Sequence, residues 1–122
     1  MAIHNTLGTE GERKAIDFLK KKGYRILDVN WRKGRYELDI VAEYAGELII
    51  VEVKTRSKNS LTLPEEAVDR KKIRHIVAAA DRYVKTSSLD LPVRFDIIAI
   101  TGDAIEHLEE AFYPPIFHRQ SK

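Results

Sequence analysis

The chain has 122 residues, of which 43% are hydrophobic and 33% are charged, and its formal net charge is +2. This length suits one soluble domain over 1–122, and the nearly balanced charge is unlike that of a strongly basic nucleic-acid coat protein. There is no cysteine, which excludes disulfides and thiolate metal sites. Because no segment has the apolar run of a signal peptide or a membrane span, we expect a cytoplasmic protein without membrane contact.

Hydrophobic periodicity and turn residues predict two helices and five strands. In chain order we expect a helix over about 9–22, strands over about 24–31, 37–43 and 47–54, a loop over 57–63, a helix over about 69–85, a loop over 87–92, and strands over 93–101 and 104–108. The order α-β-β-β-α-β-β is typical of an α/β fold in which a mixed sheet packs between helices. The domain core then covers about 8–108, and residues from about 109 to 122 form an extended tail.

Single residues mark the ends of these elements and the depth of one strand. Thr9 and Glu12 have the spacing of a capping box at the start of the first helix, and Gly23 suits its end. Pro64 suits an early turn that leads into the second helix. The strand over 93–101 is a continuous apolar run, which predicts a central strand covered on both faces.

The second and third strands flank Ala45-Gly46, which we interpret as a two-residue hairpin loop. Counting outward from this loop gives the polar cross-strand pairs, which are Asp39 with Glu52 and Glu37 with Lys54. Side chains alternate between the two faces of a strand. These four side chains therefore share one face, and the opposite face takes Leu38, Ile40, Val51 and Val53. A slip of one residue in this register would separate the set.

Two carboxylates and a lysine on one face match the needs of phosphodiester hydrolysis. Mg²⁺ prefers oxygen ligands, and a bound ion polarises phosphate and lowers the pKa of water. Asp39 and Glu52 would supply carboxylates, the Val53 carbonyl could add an oxygen, and Lys54 would stabilise developing charge. The alternative is a solvated face with cross-strand ion pairs, each worth roughly 0.2–1 kcal/mol. The apolar residues around Glu52 favour the metal site, because a buried charge is costly unless it is paired or binds a metal.

Basic residues occur in three groups, which are Arg32-Lys33-Arg35, Lys54-Arg56-Lys58 and Arg70-Lys71-Lys72-Arg74. Their positions on either side of the predicted carboxylates favour a polyanionic partner, although each group alone is more typical of a solvated surface. Arg32 and Arg56 are candidates for bidentate phosphate contacts. The candidates for a nucleic-acid track on the second helix are Lys71, Lys72 and Arg74.

The remaining polar residues are weaker candidates. Arg94 and Asp96 alternate with Phe95, so they share a face, and we expect them to form a structural pair near the site. The four histidines have no spacing typical of metal ligands or of a catalytic triad, and there is no glycine-rich phosphate loop.

Asp39 followed by Glu52-Val53-Lys54 resembles the D…(D/E)xK signature of the PD-(D/E)XK nuclease superfamily. Nearly the whole chain also resembles the UPF0102 (YraN-like) family of small bacterial proteins. The segments that carry this second resemblance are Gly11-Glu12-x-x-Ala15, Asn30-Trp31-Arg32, Glu37-Leu38-Asp39-Ile40-Val41, Val51-Glu52-Val53-Lys54-Thr55-Arg56, Ala67-Val68, Lys71-Lys72 with Arg74, and Arg94-Phe95-Asp96. The resemblance implies a restriction-endonuclease-like core, similar to that of archaeal Holliday junction resolvases.

The resemblance also implies roles for individual residues. Asp39 and Glu52 would bind Mg²⁺ (or Mn²⁺), Lys54 would orient water or stabilise the transition state, and Glu12 would be a further acidic contributor. Glu12 lies beside the inward-facing stripe of the first helix, which suits that role, and the capping box is the alternative. Supporting roles would fall to Glu37, Arg94 and Asp96. Tyr36 departs from the family pattern, which often has glycine before the motif glutamate, and its bulk would change how closely a phosphate approaches.

Three functions are consistent with these features. The first is a Mg²⁺-dependent endonuclease that acts on DNA, with branched or otherwise structured DNA expected by analogy with the resolvases. The second is a nucleic-acid-binding protein that has the nuclease fold but little or no catalysis. The third is a structural or protein-interaction domain, which gives no reason for Asp39 to face Glu52. Because resolvases act as symmetric dimers, the same analogy predicts a homodimer.

Overall fold

All of the predicted helices and strands are present in the computed structural model, which describes residues 10–58 and 68–114. In chain order the elements are α1 (Glu10–Lys21), β1 (Arg25–Lys33), β2 (Tyr36–Tyr44), β3 (Glu47–Arg56), α2 (Arg70–Ser87), β4 (Val93–Thr101) and β5 (Ala104–Phe112). This order confirms the predicted one. Four features expected from the sequence lie outside the described residues, namely Thr9 of the capping box, the loop from residue 59 onward, the turn at Pro64 and the tail from residue 115.

The five strands form one sheet in the order β1-β2-β3-β4-β5. The β3–β4 pair is parallel and the other three pairs are antiparallel, which confirms the predicted mixed sheet. A parallel pair needs a crossover connection, and α2 lies in that connection. β4 lies inside the sheet with residues 95–100 buried, as its apolar run predicted. Neither helix in the described ranges has the length and apolar character needed to cross a bilayer.

The sheet separates two apolar layers, one under each helix. Ala15 and Leu19 of α1 pack in a cluster whose sheet residues are Ile40, Ala42, Ile49, Val51, Ile98 and Ile100. The other cluster joins the sheet residues Leu48, Ile50, Phe95 and Ile97 to the α2 residues Ile76, Ala79, Ala80 and Tyr83. Alternation along β3 therefore turns Val51 toward α1 and the next residue, Glu52, toward α2.

Local contacts define where α2 begins and how it is held. The Asp69 side chain caps the helix by accepting a hydrogen bond from the Lys72 N–H at 2.9 Å. The helix continues to Ser87, two residues beyond the predicted end, and Ser88 terminates it in a left-handed conformation at φ 57°. The Tyr83 hydroxyl donates to Asp28 of β1 at 2.8 Å, which ties the helix to the edge of the sheet.

The β2–β3 hairpin has the predicted register. Its ladder runs from the pair Tyr44↔Glu47 to the pair Ile40↔Val51 and leaves only Ala45 and Gly46 in the loop. These two residues have φ values of 52° and 81°. Positive φ at both central residues is the signature of a type I′ turn, whose twist matches that of the flanking strands.

Replacing Ala45 with asparagine should stabilise this turn. Alanine at φ 52° is in a left-handed conformation that costs it free energy, whereas asparagine tolerates that conformation. We expect the free energy of unfolding to rise by about 0.5–1 kcal/mol, measured by urea denaturation. Gly46→Ala is the matched control and should be destabilised, because φ is 81° there. Equal urea midpoints for the three proteins would contradict the turn geometry.

Leu38 lies on the α2 face, whereas simple alternation placed it on the α1 face with Ile40. The cause is an irregularity in β2 at Asp39, a residue without a Cα partner in either neighbouring ladder. Across from Asp39 in β1, Asn30 has a left-handed backbone with φ 53°. Because period-two alternation requires regular pleating, the face prediction was wrong for Leu38.

β5 continues to Phe112, so the predicted strand end at residue 108 and the tail from residue 109 were wrong. A register shift lies between the pairs Ile97↔Leu108 and Phe95↔Phe112, and Glu110 in this bulge has φ 51°. The Glu110 N–H donates to the Asp96 carboxylate at 3.1 Å. The bulge interrupts the regular pairing of β5 with β4, and pairing resumes beyond it at Phe112.

Candidate functional site

Asp39 and Glu52 lie where β2 and β3 part from each other. Beyond the last pair of the ladder, Ile40↔Val51, Oδ2 of Asp39 accepts a hydrogen bond from the Val53 N–H at 2.9 Å. A carboxylate thus replaces the backbone acceptor that a continued ladder would have supplied. This contact brings Asp39 alongside the Glu52-Val53 segment, as the predicted register requires.

Burial of the two carboxyl groups raises the pKa of each. For Asp39, desolvation raises the pKa, and the hydrogen bond from the Val53 N–H opposes it. For Glu52, desolvation and then the negative charge of Asp39 raise the pKa to about 7, against the opposing effect of Lys72 and Lys54. Near neutral pH, Glu52 therefore exchanges readily between a proton and any cation that can compete with it.

Two lysines approach the Glu52 carboxylate. Nζ of Lys72 is 3.5 Å from Oε2, and Nζ of Lys54 is 3.9 Å from the same oxygen. Lys54 was predicted to lie on this face, because it is two residues from Glu52 along β3. Lys72 was predicted only as a nucleic-acid contact, and its approach depends on how α2 docks against the sheet.

The predicted Glu37–Lys54 pair does not form. Glu37 instead accepts a hydrogen bond from Nη2 of Arg32 at 2.9 Å. The reason is that the β2–β3 ladder has already ended at Ile40, while the β1–β2 ladder continues and pairs Arg32 with Glu37. Both side chains are more than half exposed, so this pair contributes little to stability.

Glu12 is held near the same edge of the site by Asn30. Nδ2 of Asn30 donates to Oε1 of Glu12 at 3.0 Å, and Asn30 lies between the pairs Val29↔Ile40 and Trp31↔Leu38 of the β1–β2 ladder. Within residues 10–58 and 68–114, no three acidic or histidine side chains are close enough together to hold a metal ion. A metal-binding role for Glu12 stays a prediction. The contact of Asn30 with Glu12 was not predicted. The residue type of Asn30 could have indicated a special position, because asparagine is rare inside strands and tolerates a left-handed backbone.

The donor set at Asp39 and Glu52 suits a hard divalent cation. Both groups offer carboxylate oxygens, which Mg²⁺ and Mn²⁺ prefer. The Glu52 side chain is only 10% exposed, and the other charges at its carboxylate are the two lysines. The negative charges of Asp39 and Glu52 are costly in this partly buried position, and a cation bound between them would remove that cost.

A basic pocket of about 800 Å³ lies beside Glu52, between the β1–β2 turn and the first turns of α2. Its lining includes the three predicted contacts Lys71, Lys72 and Arg74, together with Arg35, Tyr36 and His75. Lys72 lines this pocket and also contacts the Glu52 carboxylate. The pocket therefore connects the predicted nucleic-acid contacts of α2 directly to the acidic residues.

The other two predicted phosphate contacts lie elsewhere. Arg32 lines a separate small recess with Gly34, Arg35 and Glu37, and its side chain is 71% exposed. Arg56 is half-buried at the last position of β3. Both residues are on elements that carry the site, and a contact with phosphate stays a prediction for each.

Arg94 and Asp96 form the predicted pair, but on the α1 face of the sheet. Asp96 is fully buried and accepts two hydrogen bonds from Arg94, at 2.9 and 2.8 Å, and one from His107 at 2.7 Å. Burial raises the pKa of Asp96, but these hydrogen bonds and that of the Glu110 N–H outweigh it and hold the pKa below its usual range. Because Glu52 faces α2, any support from this pair reaches the site through the sheet.

Asp96→Asn should be strongly destabilising, because it removes the buried counter-charge of Arg94, which is only 10% exposed, and leaves it the longer contacts to Glu47 at 3.5 Å and Glu109 at 3.9 Å. Breaking a buried pair in this way costs about 3–5 kcal/mol, which thermal and urea unfolding at pH 7 would measure. The matched control is Asp81→Asn, which removes an exposed partner of Lys85 and should have little effect. Losses of equal size in the two variants would contradict the structural role of Asp96.

The chain matches the model of the Uncharacterised protein family UPF0102 over residues 11–100. It belongs to this family. A UPF0102 protein of Bacteroides fragilis is 56% identical over 121 residues, which cover 96% of this chain and all of that relative. One from Phocaeicola vulgatus is 55% identical over the same coverage, and one from Flavobacterium psychrophilum is 47% identical over 93% of this chain and 98% of that relative.

The UPF0102 chain is also similar to a solved structure of Archaeoglobus fulgidus Hjc, a Holliday junction resolvase from an archaeal hyperthermophile. The TM-score is 0.52 at 19% sequence identity, and the match covers 84% of this chain and 77% of Hjc. At this identity the likeness shows the fold. The expected restriction-endonuclease-like core, a mixed sheet flanked by helices, is confirmed.

Proposed function

We propose that this UPF0102 protein is a divalent-metal-dependent endonuclease that hydrolyses phosphodiester bonds in DNA, with branched or otherwise structured DNA as the preferred substrate. The observation that carries the proposal is the pairing of Asp39 with Glu52, two partly buried carboxyl groups with raised pKa values at the point where β2 and β3 separate. Their position on a nuclease fold supports it further.

Each residue of the site has a defined task in this proposal. Asp39 and Glu52 would hold Mg²⁺ or Mn²⁺, and Glu12, held by Asn30, would add a carboxylate directly or through water. The ion, when bound, would polarise the phosphate and lower the pKa of water. Lys54 and Lys72 place two positive charges where negative charge develops on the phosphate during the reaction.

The choice of DNA rests on the charges around the site and on the structural relative. The basic pocket carries Arg35, Lys71, Lys72 and Arg74, and four positive charges suit a polyanion such as a phosphate backbone better than an uncharged substrate. Hjc, the protein of similar fold, is a Holliday junction resolvase. By the same analogy we expect a homodimer, because a four-way junction offers two equivalent sites for cutting, and a cytoplasmic location.

The test is a panel of labelled duplex, single-stranded, flap, three-way and four-way DNA, incubated with Mg²⁺, Mn²⁺ or EDTA. We expect cutting that depends on the metal and disappears in an Asp39→Ala control. An RNA duplex and an RNA hairpin in the same panel decide between the two nucleic acids. Cutting that persists in EDTA, or in Asp39→Ala, would overturn the proposal.

The second candidate is a DNA-binding protein with this fold and little or no catalysis. The position of Glu12 favours this second candidate. Its carboxylate is hydrogen-bonded to Asn30, so within the described ranges the acidic residues at the centre of the site are Asp39 and Glu52. This candidate predicts salt-sensitive binding without turnover in any metal. Removal of the Arg32, Lys33 and Arg35 charges should then weaken the binding.

A further inference from the structure

Two aromatic rings line the basic pocket beside the acidic residues. Tyr36 comes from the start of β2 and His75 from α2, and their planes are 27° apart with centroids separated by 6.0 Å. The Tyr24–Tyr44 pair elsewhere in the protein is far tighter, at 4.1 Å and 3°. The Tyr36 and His75 rings are thus less closely stacked than that pair, and both border the open space of the pocket, where a planar ligand would meet them.

Both rings are anchored to rigid elements. Tyr36 is half-buried against the apolar cluster under α2, and the guanidinium of Arg82 lies 5.2 Å from its ring centre. Arg82 is not part of the pocket lining, so it holds the ring without contributing to the pocket wall. His75 lies in the first half of α2. A platform held in this way loses little conformational entropy when it binds a ligand.

The charges of the pocket are those of an anion site. Four cationic side chains line it, namely Arg35, Lys71, Lys72 and Arg74, and the carboxylate of Asp69, which also lines it, is already engaged in capping α2. Lys72 lines the pocket and its Nζ lies 3.5 Å from Oε2 of Glu52, so this lysine joins the pocket to the acidic pair. Arginine and lysine next to aromatic rings are the combination with which proteins hold single-stranded nucleic acid.

The two rings decide which form of nucleic acid suits the pocket. Its volume of about 800 Å³ is within the range of small-ligand sites and is enough for a nucleotide. A base inside a continuous duplex is stacked on both sides and cannot reach the two rings. A base that is already unpaired, at a bulge, a flap or a branch point, reaches them without that cost.

We infer that the basic pocket binds one unpaired nucleotide of DNA, with its base against Tyr36 and His75 and its phosphate at Arg35 and Arg74. The inference rests on the proposed function, because the bound nucleotide lies beside a bond that is cut only if the protein is a nuclease. It narrows the substrate class to DNA that presents an unstacked nucleotide close to the phosphate at Asp39 and Glu52. The preference for structured DNA then arises from this pocket.

The test measures binding in EDTA, so that it does not depend on cleavage. Two DNA duplexes of one sequence are compared, one fully paired and one with a single unpaired 2-aminopurine. We expect the bulged DNA to bind about tenfold tighter, and its fluorescence to fall on binding because the base stacks on the rings. Tyr36→Leu and His75→Leu should each remove most of this preference, whereas Tyr36→Phe and His75→Phe should retain it.

Matched controls separate stacking from charge and from folding. Tyr113→Leu changes an aromatic residue that is 69% exposed and outside the pocket, and it should leave the preference unchanged. Arg35→Ala and Arg74→Ala should weaken binding to both duplexes by similar factors and reduce the salt dependence. Thermal unfolding confirms that the leucine and phenylalanine variants are folded.

The outcomes distinguish this inference from the proposed function. It is overturned if the folded leucine variants keep the parental preference, if the fluorescence does not change at saturation, or if the paired and the bulged DNA bind equally well. If the preference depends on the two rings but no metal supports cutting, the nucleotide site stands and the proposed nuclease activity fails. If DNA is cut and the rings have no effect, the nuclease stands and the nucleotide site fails.

Discussion

Replacing Glu52 with glutamine should stabilise the metal-free protein at alkaline pH. Burial, together with the negative charge of Asp39, raises the pKa of Glu52 from its usual 4.5 to about 7. A carboxyl group whose pKa is raised by folding favours the folded state when it is protonated, so this stability is lost as the pH rises from about 4.5 to about 7. At 1.36 kcal/mol for each pKa unit, the loss is roughly 3 kcal/mol. Glutamine does not ionise and avoids this loss.

Urea unfolding in EDTA at pH 5 and pH 8 measures the effect. The parent and Glu52→Gln should be nearly equal in stability at pH 5, and the variant should gain roughly 3 kcal/mol over the parent at pH 8. Glu37→Gln is the matched control, because Glu37 is an exposed carboxylate on the neighbouring strand. Its stability difference from the parent should hardly vary with pH. A Glu52→Gln difference that is the same at both pH values would contradict the buried, proton-binding carboxyl.

Mg²⁺ should cancel most of this difference in stability at pH 8. An ion at one hundred times its dissociation constant stabilises the folded state by about 2.7 kcal/mol, and the parent has both carboxylates with which to bind it. Glu52→Gln has lost one of them and should gain little. At pH 5 the proton on Glu52 competes with the ion, so the parent should also gain little. A rise in melting temperature of equal size in both proteins would show that Mg²⁺ binds elsewhere.

Asp39→Asn should reduce metal-dependent cutting of DNA by about a thousandfold or more, because it removes several kcal/mol of charge stabilisation at the site. The asparagine carbonyl can still accept the hydrogen bond from the Val53 N–H, so the strand geometry should be retained. DNA binding in EDTA should be unchanged or slightly tighter, since a negative charge has been lost. Single-turnover cleavage and fluorescence anisotropy measure these two properties separately.

Two comparisons make this result specific. Glu37→Gln removes a carboxylate that pairs with Arg32 at the surface, and its cleavage rate should stay within a factor of about two of the parent. In the parent, the rate should rise as the pH increases through about 7, because Glu52 must lose its proton to bind a cation. Rates in Asp39→Asn comparable to those of the parent would exclude Asp39 as a metal ligand.

The hairpin was predictable because its register depends on two adjacent residues. Ala45-Gly46 fixes which residues face each other, and the apolar run of β3 shows that Glu52 is buried. These two local features were enough to place Asp39 alongside Glu52. They also placed Lys54 on the same face as Glu52. A strand has a period of two, so one correct turn determines the faces of every regular residue that follows.

The other predictions failed where a strand departs from regular alternation or where a contact depends on how a helix docks on the sheet. The faces of β2 change at Asp39, opposite a left-handed Asn30, and no period in the sequence records that change. β5 was cut short because the bulge at Glu110 satisfies Asp96, a residue on another strand. The contact of Lys72 with Glu52 was missed because it depends on the docking of α2, which alternation and helical spacing do not specify.

The crossover between β3 and β4 determines how the site can come apart. Asp39 and Glu52 belong to one local hairpin, whereas Lys72, Arg74 and His75 belong to the helix within the crossover. Opening of α2 away from the sheet would therefore remove Lys72, Arg74 and one ring, while Lys54 and Arg35 stay with the two acids. Local opening of this kind requires less free energy than global unfolding. We therefore expect amide hydrogens of α2 to exchange with solvent before those of β3.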